Sequence, residues 1–518
     1  MLFSSAIFVW LFLPLVLLLY FSLRQELRNL LLMVASLLFY AWGETFLVVI
    51  MLFSITANWA FGLWLARAQP RGKGGRVVFW AAVLNLGLLV AFKYSDWLWS
   101  ILSWLLHDCT GVLSQPLALL GSGLAPDSGL RALLLTREGA IRLPIGISFF
   151  TFQAFSYVLD VYRKDAEVEK SWFRVALYVS LFPQLIAGPI VRYKDVAEQI
   201  RERRVTLEGF AYGIRRFVLG LGKKMLLANI VAAPCDKIFG AAGIEGIPAD
   251  QLTTPIAWLG IVLYALQIYF DFSAYSDMAI GLGHMFGFTF LENFLHPYIS
   301  RSITEFWRRW HVSLSTWFRD YLYIPLGGNR ISPARTYFNL VTVFFLCGLW
   351  HGASFNFVIW GLWHGLFLVL ERAGLARWSE GWPALLRHAY VLLVVLIGWV
   401  FFRAADLAQS LHYLQTMFGL QGGGMVQVGE LHIAASRIQR VVLYTDPEIW
   451  TAIVLGVVGS TPWLGRAVEW WKGLEGRGRG RLASVLEYAS IGLLALVFLD
   501  CAMKLAAGSY SPFIYFRF

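Results

Sequence analysis

Charge is what this sequence has least of. Only 14% of its 518 residues are Asp, Glu, Lys or Arg, against 58% hydrophobic, whereas soluble domains carry about 25% charged residues. With a mean hydropathy of +0.62, this balance excludes the several soluble domains that length alone would imply. The repeated apolar runs point instead to one polytopic membrane domain. Cysteine is scarce too. Cys109, Cys235, Cys347 and Cys501 lie far apart with no CxxC, so neither a disulfide framework nor a zinc site is indicated, and no metal is expected. The sequence has no Gly-x-Ser-x-Gly elbow, P-loop or HExxH, which removes the usual hydrolase, NTPase and zincin readings. It has no internal repeat, which counts against a transporter. The first apolar run lacks a basic n-region and an A-x-A-like exit, so it reads as a retained helix and not a cleaved signal. Acidic residues are the scarcer sign, leaving a net charge of +11. In such a chain the excess Lys and Arg belong on cytoplasmic loops facing anionic lipid, and no nucleic-acid partner is implied.

What is present is a series of apolar runs. Ile7–Leu23, Asn29–Trp42, Phe46–Leu65 and Val77–Trp99 are separated by Arg24–Arg28, Gly43-Glu44 and a basic loop, Arg67–Arg76. Residues 105–142 are mixed, with no clear period, and read as a loop with a short surface helix at most. Leu143–Val161 is apolar again. Val175–Ile190 contains Pro183, ends at Gly188-Pro189 and is basic on both flanks. A straight span there would strand one basic cluster outside, so a re-entrant or broken helix is expected, as cavity wall. Broken backbone is tolerated at membrane depth only inside protein or along a cavity. Phe210–Ala233 and Ile256–Phe286 are longer helices, followed by Tyr337–Trp350, Phe355–Leu370, Tyr390–Phe402, Ile449–Leu464 and Tyr488–Phe498. Residues 403–447 read as a polar loop. Placing 24–28, 67–76, 163–204, 290–335, 372–387 and 466–481 in the cytoplasm satisfies the positive-inside rule with about twelve spans and both termini outside. The expectation is an all-α polytopic membrane protein, one domain over 1–518, with its core at 290–365.

That core is polar, basic and rich in tryptophan. Ser302–Tyr323 reads as an amphipathic helix: Phe306, Trp310, Leu314, Trp317 and Tyr321 fall at spacings of three and four. Arg308, Arg309, Arg319 and Asp320 lie largely off that stripe. An interfacial helix with Arg on lipid phosphates would look the same. Gly327-Gly328-Asn329 permits a tight turn before Arg330. His311 closes a Trp-Arg-Arg-Trp-His run. His351 is isolated among apolar residues, with no other Asp, Glu, Lys, Arg or His between Arg335 and His364. An ionisable side chain at membrane depth is a functional-site candidate, and imidazole can take a proton from a hydroxyl and return it to a leaving group. A core histidine bonded to a carbonyl is the alternative. His364 could share the cavity, while His284 and His296 read as structural. Asp271 and Asp277 lie inside a long span and need partners, for which Arg308 and Arg309 are possible.

The run from Trp307-Arg308-Arg309-Trp310-His311 through Trp317, Arg319-Asp320-Tyr321 and Asn329-Arg330 resembles the membrane-bound O-acyltransferases. So does Leu349-Trp350-His351-Gly352-Ala353, some twenty residues later. The likeness is to the bacterial branch with the alginate O-acetyltransferase membrane subunit and the D-alanyl transferase of teichoic acid modification. It extends over Tyr269–Gly283, Leu143–Phe149 and Phe182–Pro189, hence most of the chain to about residue 402.

The resemblance implies a helical ring around a funnel or tunnel. His351 matches the family's essential buried histidine and His311 its second active-site position. It implies acetyl-CoA as acyl donor on the cytoplasmic side, delivery to the other face of a bacterial inner membrane, and a separate periplasmic acetyltransferase partner. The expected function is O-acetylation of an extracytoplasmic polysaccharide such as alginate. The alternatives are D-alanyl or other acyl transfer to an envelope polymer, or transport of a polymer precursor. His351 is expected as general base, with His311 polarising the acyl carbonyl or assisting proton return. Arg308, Arg309, Arg319 and Arg330 are expected to meet an anionic donor, since guanidinium binds phosphate bidentately. The terminal Phe513-Ile514-Tyr515-Phe516-Arg517-Phe518 reads either as an interfacial end or as an acyl acceptor. It resembles the C-terminal motif of the small membrane peptide that works with D-alanyl transferases, which makes Tyr515 a candidate to carry the acyl group.

Overall fold

In the computed structural model, residues 1–105, 142–421, 424–428, 431–435, 439–475 and 480–508 are described. Most of the stretch expected as a loop over 105–142, and the terminal hexapeptide with Tyr515, lie outside them. They group into two compact units, Met1–Phe210 with Leu282–Leu291, and Ala211–Gly281 with Glu292–Phe518.

The first unit is helical. Val48–Ala68 and Gly74–Leu89 both pack on Ile147–Arg163. Their buried amides satisfy each other: Asn85 Nδ2 donates to Asn58 Oδ1 at 2.8 Å, and Asn58 Nδ2 to Asn85 Oδ1 at 3.1 Å. Apolar helices can carry such amides only when paired. The break expected near Pro183 is there. Trp172–Ser180 ends at Leu181, a single turn follows over Phe182–Leu185, and the chain then leaves helical geometry. Every residue from Val175 to Val191 is buried. The freed backbone is met from within: the Tyr178 hydroxyl donates to Val191 O at 2.9 Å and Ser36 Oγ accepts from Phe182 N at 3.0 Å.

The second unit contains most of two long helical stretches, Leu207–Phe239 and Thr254–Met285. They approach on glycine: a Cβ on Gly220 would lie 2.7 Å from Ala274 O, and one on Gly281 2.6 Å from Gly213 O. This closeness brings cations of one helix onto carboxylates of the other. Asp277 pairs with Arg216 and Lys223, each at 2.6 Å, and buried Asp271 with buried Lys224 at 2.7 Å. Arg308 and Arg309 are therefore not the partners of these aspartates. The cations come from positions 216, 223 and 224, spaced to lie on one helix face, where a π-turn over Lys223–Ala228 resets the register.

Ser302–Tyr323 is not one helix. It divides into Ile303–Arg309, Val312–Phe318 and a π-turn over Arg319–Tyr323. Phe306, Trp310, Leu314, Trp317 and Tyr321 are all buried in protein, so the aromatic stripe packs against neighbouring helices. Pro333–His351 and Phe355–Leu370 form a tight helical hairpin. A Cβ on Gly361 would collide with Phe344 O and one on Gly348 with Phe357 O. Gly361→Ala therefore overpacks this crossing and is expected to cost about 1–3 kcal/mol, read as a lower unfolding midpoint in detergent. Gly465→Ala, whose Cβ meets open space, should leave the midpoint unlowered; equal effects of the two would contradict this packing. Ala384–Arg403 lies against the hairpin. Within the stretch read as a polar loop, Met425–Val428 and Leu431–Ala434 pair as a short antiparallel hairpin.

Among the described residues seven helices are long and apolar enough to cross a membrane, or up to eight if one bent pair counts as a span. The sequence offers about twelve apolar runs. Of the rest, Phe8–Ser22 and the 17-residue Ile147–Arg163 are too short for that test, Gln25–Glu44 and Pro333–His351 are long enough but not apolar enough, and one is the broken segment at Pro183.

Candidate active site

The site begins at a carboxylate. Glu371 is buried and receives Ile303 N at 2.5 Å, Thr304 N at 2.9 Å and the Thr304 hydroxyl at 2.6 Å. These amides are the orphan donors of the helix Ile303–Arg309, and an anion there also meets the positive end of the helix. Ser302 Oγ caps Glu305 N at 3.0 Å. The helix thus starts at a fixed point, and seven residues later it stops.

The stop places His311. Trp310 is extended, and His311 takes the left-handed conformation at φ 45°, ψ 55°. For a residue with a Cβ this costs roughly 1–2 kcal/mol, and such strain gathers at functional positions. The chain before it holds the strain in place: Leu295 N donates to Arg309 O at 3.0 Å and Val312 N to Asn293 O at 2.9 Å. The imidazole is buried, with Nδ1 3.1 Å from Asn293 Oδ1. Phe272 and Phe294 pack on its ring at 4.6 and 6.4 Å between centroids. Nε2 is buried without a hydrogen-bond partner among the described residues. Burial pushes the His311 pKa down from its ordinary value, which keeps the ring neutral.

His351 is the last residue of Pro333–His351 and is also buried. Trp350, Trp360 and Phe402 surround its ring at 5.0, 4.9 and 5.1 Å. Trp350 touches both histidines, its ring lying 6.4 Å from that of His311. The structure therefore brings together the two histidines singled out from sequence. His364 is fully buried among Trp307, at 5.1 Å, and Trp360, at 5.3 Å, with Nε2 against Gly398. It is part of the aromatic packing behind His351.

The arginines divide. Arg308 and Arg319 line a cavity of about 440 Å³ whose other walls include Trp307, Leu314, Phe318, Phe344 and Cys347. Val312, which follows His311, and Cys347, one turn before His351, also belong to its wall. Arg309 instead pairs with Glu305 at 2.8 Å and donates to Leu295 O at 2.9 Å, bracing the break. Arg330 is exposed, beyond the turn at Gly327 and Gly328 with φ 105° and 56°. A pocket with two guanidinium groups at its wall, that of Arg319 also paired with Asp320 at 2.7 Å, and an apolar interior matches a ligand with an anionic part and a greasy part. Sequence reasoning missed Asn293 and Glu371. Asn293 sits in an unremarkable Glu-Asn-Phe context, whereas Glu371, a single carboxylate ending a 16-residue apolar helix, was a usable signal.

A helical membrane protein with two buried histidines beside an arginine-lined cavity fits an acyl-transferring enzyme. The model of the membrane-bound O-acyltransferase family matches residues 147–407, and the chain belongs to that family. It is thus a multi-pass membrane O-acyltransferase. It is 40% identical to a "Probable alginate O-acetylase AlgI" of Pseudomonas putida, over all of both chains. It is 30% identical to the peptidoglycan O-acetyltransferase of Helicobacter pylori, over 100% of this chain and 98% of that one. The teichoic acid D-alanyltransferase of Bacillus subtilis matches at 26% over 42% of this chain and 55% of its own.

Proposed function

We propose that this protein moves an acetyl group from a cytoplasmic thioester donor, acetyl-CoA, to an extracytoplasmic polysaccharide of the alginate type, in a bacterial inner membrane. The observation that carries the reading is the pair His311 and His351, joined through Trp350 beside the cavity that holds Arg308 and Arg319. Full-length likeness to proteins named for acetylation of alginate and of peptidoglycan supports the acyl group and the kind of acceptor. In the reaction an accepting hydroxyl oxygen bonds to the carbonyl carbon and the carbon–sulfur bond breaks. The hydroxyl proton passes through imidazole to the departing thiolate. His351 is the general base. Arg308 and Arg319 hold the donor's phosphates. A separate extracytoplasmic acetyltransferase is the proposed partner. Tyr515 is the proposed first acceptor: a phenol with pKa near 10 leaves more readily than a sugar alkoxide, so an acyl-tyrosine stays activated for the next transfer.

The test uses purified protein and acetyl-CoA labelled in the acetyl group. Transfer to a glycan acceptor is expected, with label mapping to Tyr515 by mass spectrometry and lost in Tyr515→Phe. Arg308→Ala and Arg319→Ala should each raise the donor KM about tenfold or more, the worth of a charged hydrogen bond. Absence of any acetyl ester alongside transmembrane flux of a precursor would overturn the reading. Label that never appears on Tyr515 while glycan is acetylated would remove the shuttle alone.

A further inference from the structure

We infer that Asn293 is a positioning residue that locks His311 in the Nδ1–H tautomer, so that its Nε2 is free to accept and return a proton beside the general base His351. The inference deepens the proposed function and rests on it for the reaction, but not for the tautomer.

The argument runs through one unambiguous donor. A backbone N–H can only donate, and Ser313 N lies 3.2 Å from Oδ1 of Asn293. That atom is therefore the amide oxygen, and the orientation that crystallography commonly leaves to choice is settled by chemistry. The other side of the amide agrees: Nδ2 donates to Ser276 Oγ at 3.0 Å. The Ser313 hydroxyl donates to the same Oδ1 at 2.9 Å, the shorter of its two contacts, since His311 Nδ1 lies 3.4 Å from it. An amide oxygen cannot donate, so His311 Nδ1 at 3.1 Å from it must carry the hydrogen. In the neutral ring the lone pair then resides on Nε2, the atom with no partner among the described residues. A lone pair accepts protons and cannot polarise a carbonyl. Of the roles open to His311, proton return is the one this tautomer permits: Nε2 accepts the proton that the general base His351 has taken from the hydroxyl and passes it to the departing thiolate. The left-handed backbone at His311 and the bond from Val312 N to Asn293 O at 2.9 Å belong to the same device. They hold the main chains of the two residues side by side, so that the side-chain contact is made without adjustment.

Besides Asn293 and Ser313, the groups facing the ring are aromatic: Phe272, Phe294 and Trp350. Titratable groups next to them in the chain are largely committed elsewhere. Asp271 pairs with Lys224, Glu292 with Arg216, and Arg309 with Glu305; His351 lies beyond Trp350. A carboxylate at position 293 would consequently be a new and close anion for His311.

Two variants and one spectrum test the proposal on the full-length protein in proteoliposomes. Asn293→Leu removes the acceptor and is expected to lower kcat at least about 10²-fold, the scale of a general acid–base contribution, with donor KM unchanged. Asn293→Asp keeps an acceptor and adds charge. A carboxylate that close favours the imidazolium and raises the His311 pKa by about 1–3 units. The His311 ring then stays protonated to higher pH, so the acid limb of the rate profile moves up while activity at alkaline pH is retained. Nitrogen-15 NMR of labelled histidine should show Nδ1 protonated and Nε2 bare in the wild-type protein, with that population lost in Asn293→Leu. An Nε2–H ring in the wild type would overturn the proposal, as would an Asn293→Leu variant with wild-type rate and pH profile. The NMR result does not depend on turnover. If the tautomer is found but no acetyl is transferred, the proposed function fails and the positioning stands.

Discussion

His351→Ala lowers acyl transfer by about 10²–10⁴-fold, the range for losing a general base, while the protein remains in the membrane at normal abundance. The stability side of this expectation comes from the packing. His351 ends its helix, and its ring packs against Trp350, Trp360 and Phe402. Alanine leaves a gap beside rings that keep other partners, since Trp360 also packs on Phe402 at 5.1 Å and on Trp399 at 6.2 Å. Such a truncation costs stability without removing a charge. The measurement is glycan O-acetylation in a deletion strain carrying the variant, normalised to protein level. Full rescue by His351→Ala would exclude the base. His364→Ala provides the contrast: its ring is buried in the packing layer, so its main effect should fall on protein level. A His364→Ala variant that is abundant and dead, beside an active His311→Ala, would mean that the wrong histidine was paired with His351.

Breaking the pair of Lys224 and Asp271 gives the second large effect. The side chains are 3% and 1% exposed and meet at 2.7 Å between two apolar helices. Lys224→Met leaves a buried carboxylate without this cation, and Asp271→Leu leaves a buried ammonium without this anion. Removing one partner of a buried pair costs about 3–5 kcal/mol, whereas replacing both by apolar residues of similar volume is often neutral. Each single variant should therefore unfold at markedly lower denaturant or temperature, and Lys224→Met with Asp271→Leu should recover most of the loss. Single variants as stable as the wild type would show that the pair contributes nothing, and a double variant worse than either single would show that the charges themselves are required. The neighbouring Asp277 has two cations, and Arg216 also reaches Glu292 at 2.6 Å. Loss of Lys223 alone is accordingly expected to be much milder.

The membrane character, the break at Pro183 and the two histidines were legible in the sequence because each depends on local chemistry. A run of apolar residues must satisfy its backbone as helix wherever it sits in lipid. Proline followed by Gly-Pro disfavours a continuous helix by its own covalent geometry. A histidine alone in apolar sequence stands out before any contact is known. The family likeness rested on the same stretches. The aromatic stripe from Phe306 to Tyr321 was legible as a period of three and four, but not as two helices. The interruption at His311 has no proline or glycine to announce it, and a left-handed histidine is made tenable by Asn293 and Leu295, which precede it by more than a dozen residues.

What the sequence determined by itself was therefore the class: an α-helical membrane chain with a basic tryptophan-rich segment and two conspicuous histidines. Only the tertiary structure decided which charges meet and which nitrogen carries the proton. Asp271 and Asp277 found Lys224, Lys223 and Arg216 instead of the arginines of the motif, because Gly220 and Gly281 let two helices approach until side chains on facing surfaces touch. Of four candidate arginines, two reached the cavity, one braced a turn and one stayed in the open; Arg308 and Arg309 part because successive side chains on a helix point about 100° apart. The tautomer of His311 depends on an amide whose own orientation is set by Ser276 and Ser313. No local pattern encodes such a chain of hydrogen bonds, because each link joins residues that only folding brings within 3.2 Å of one another.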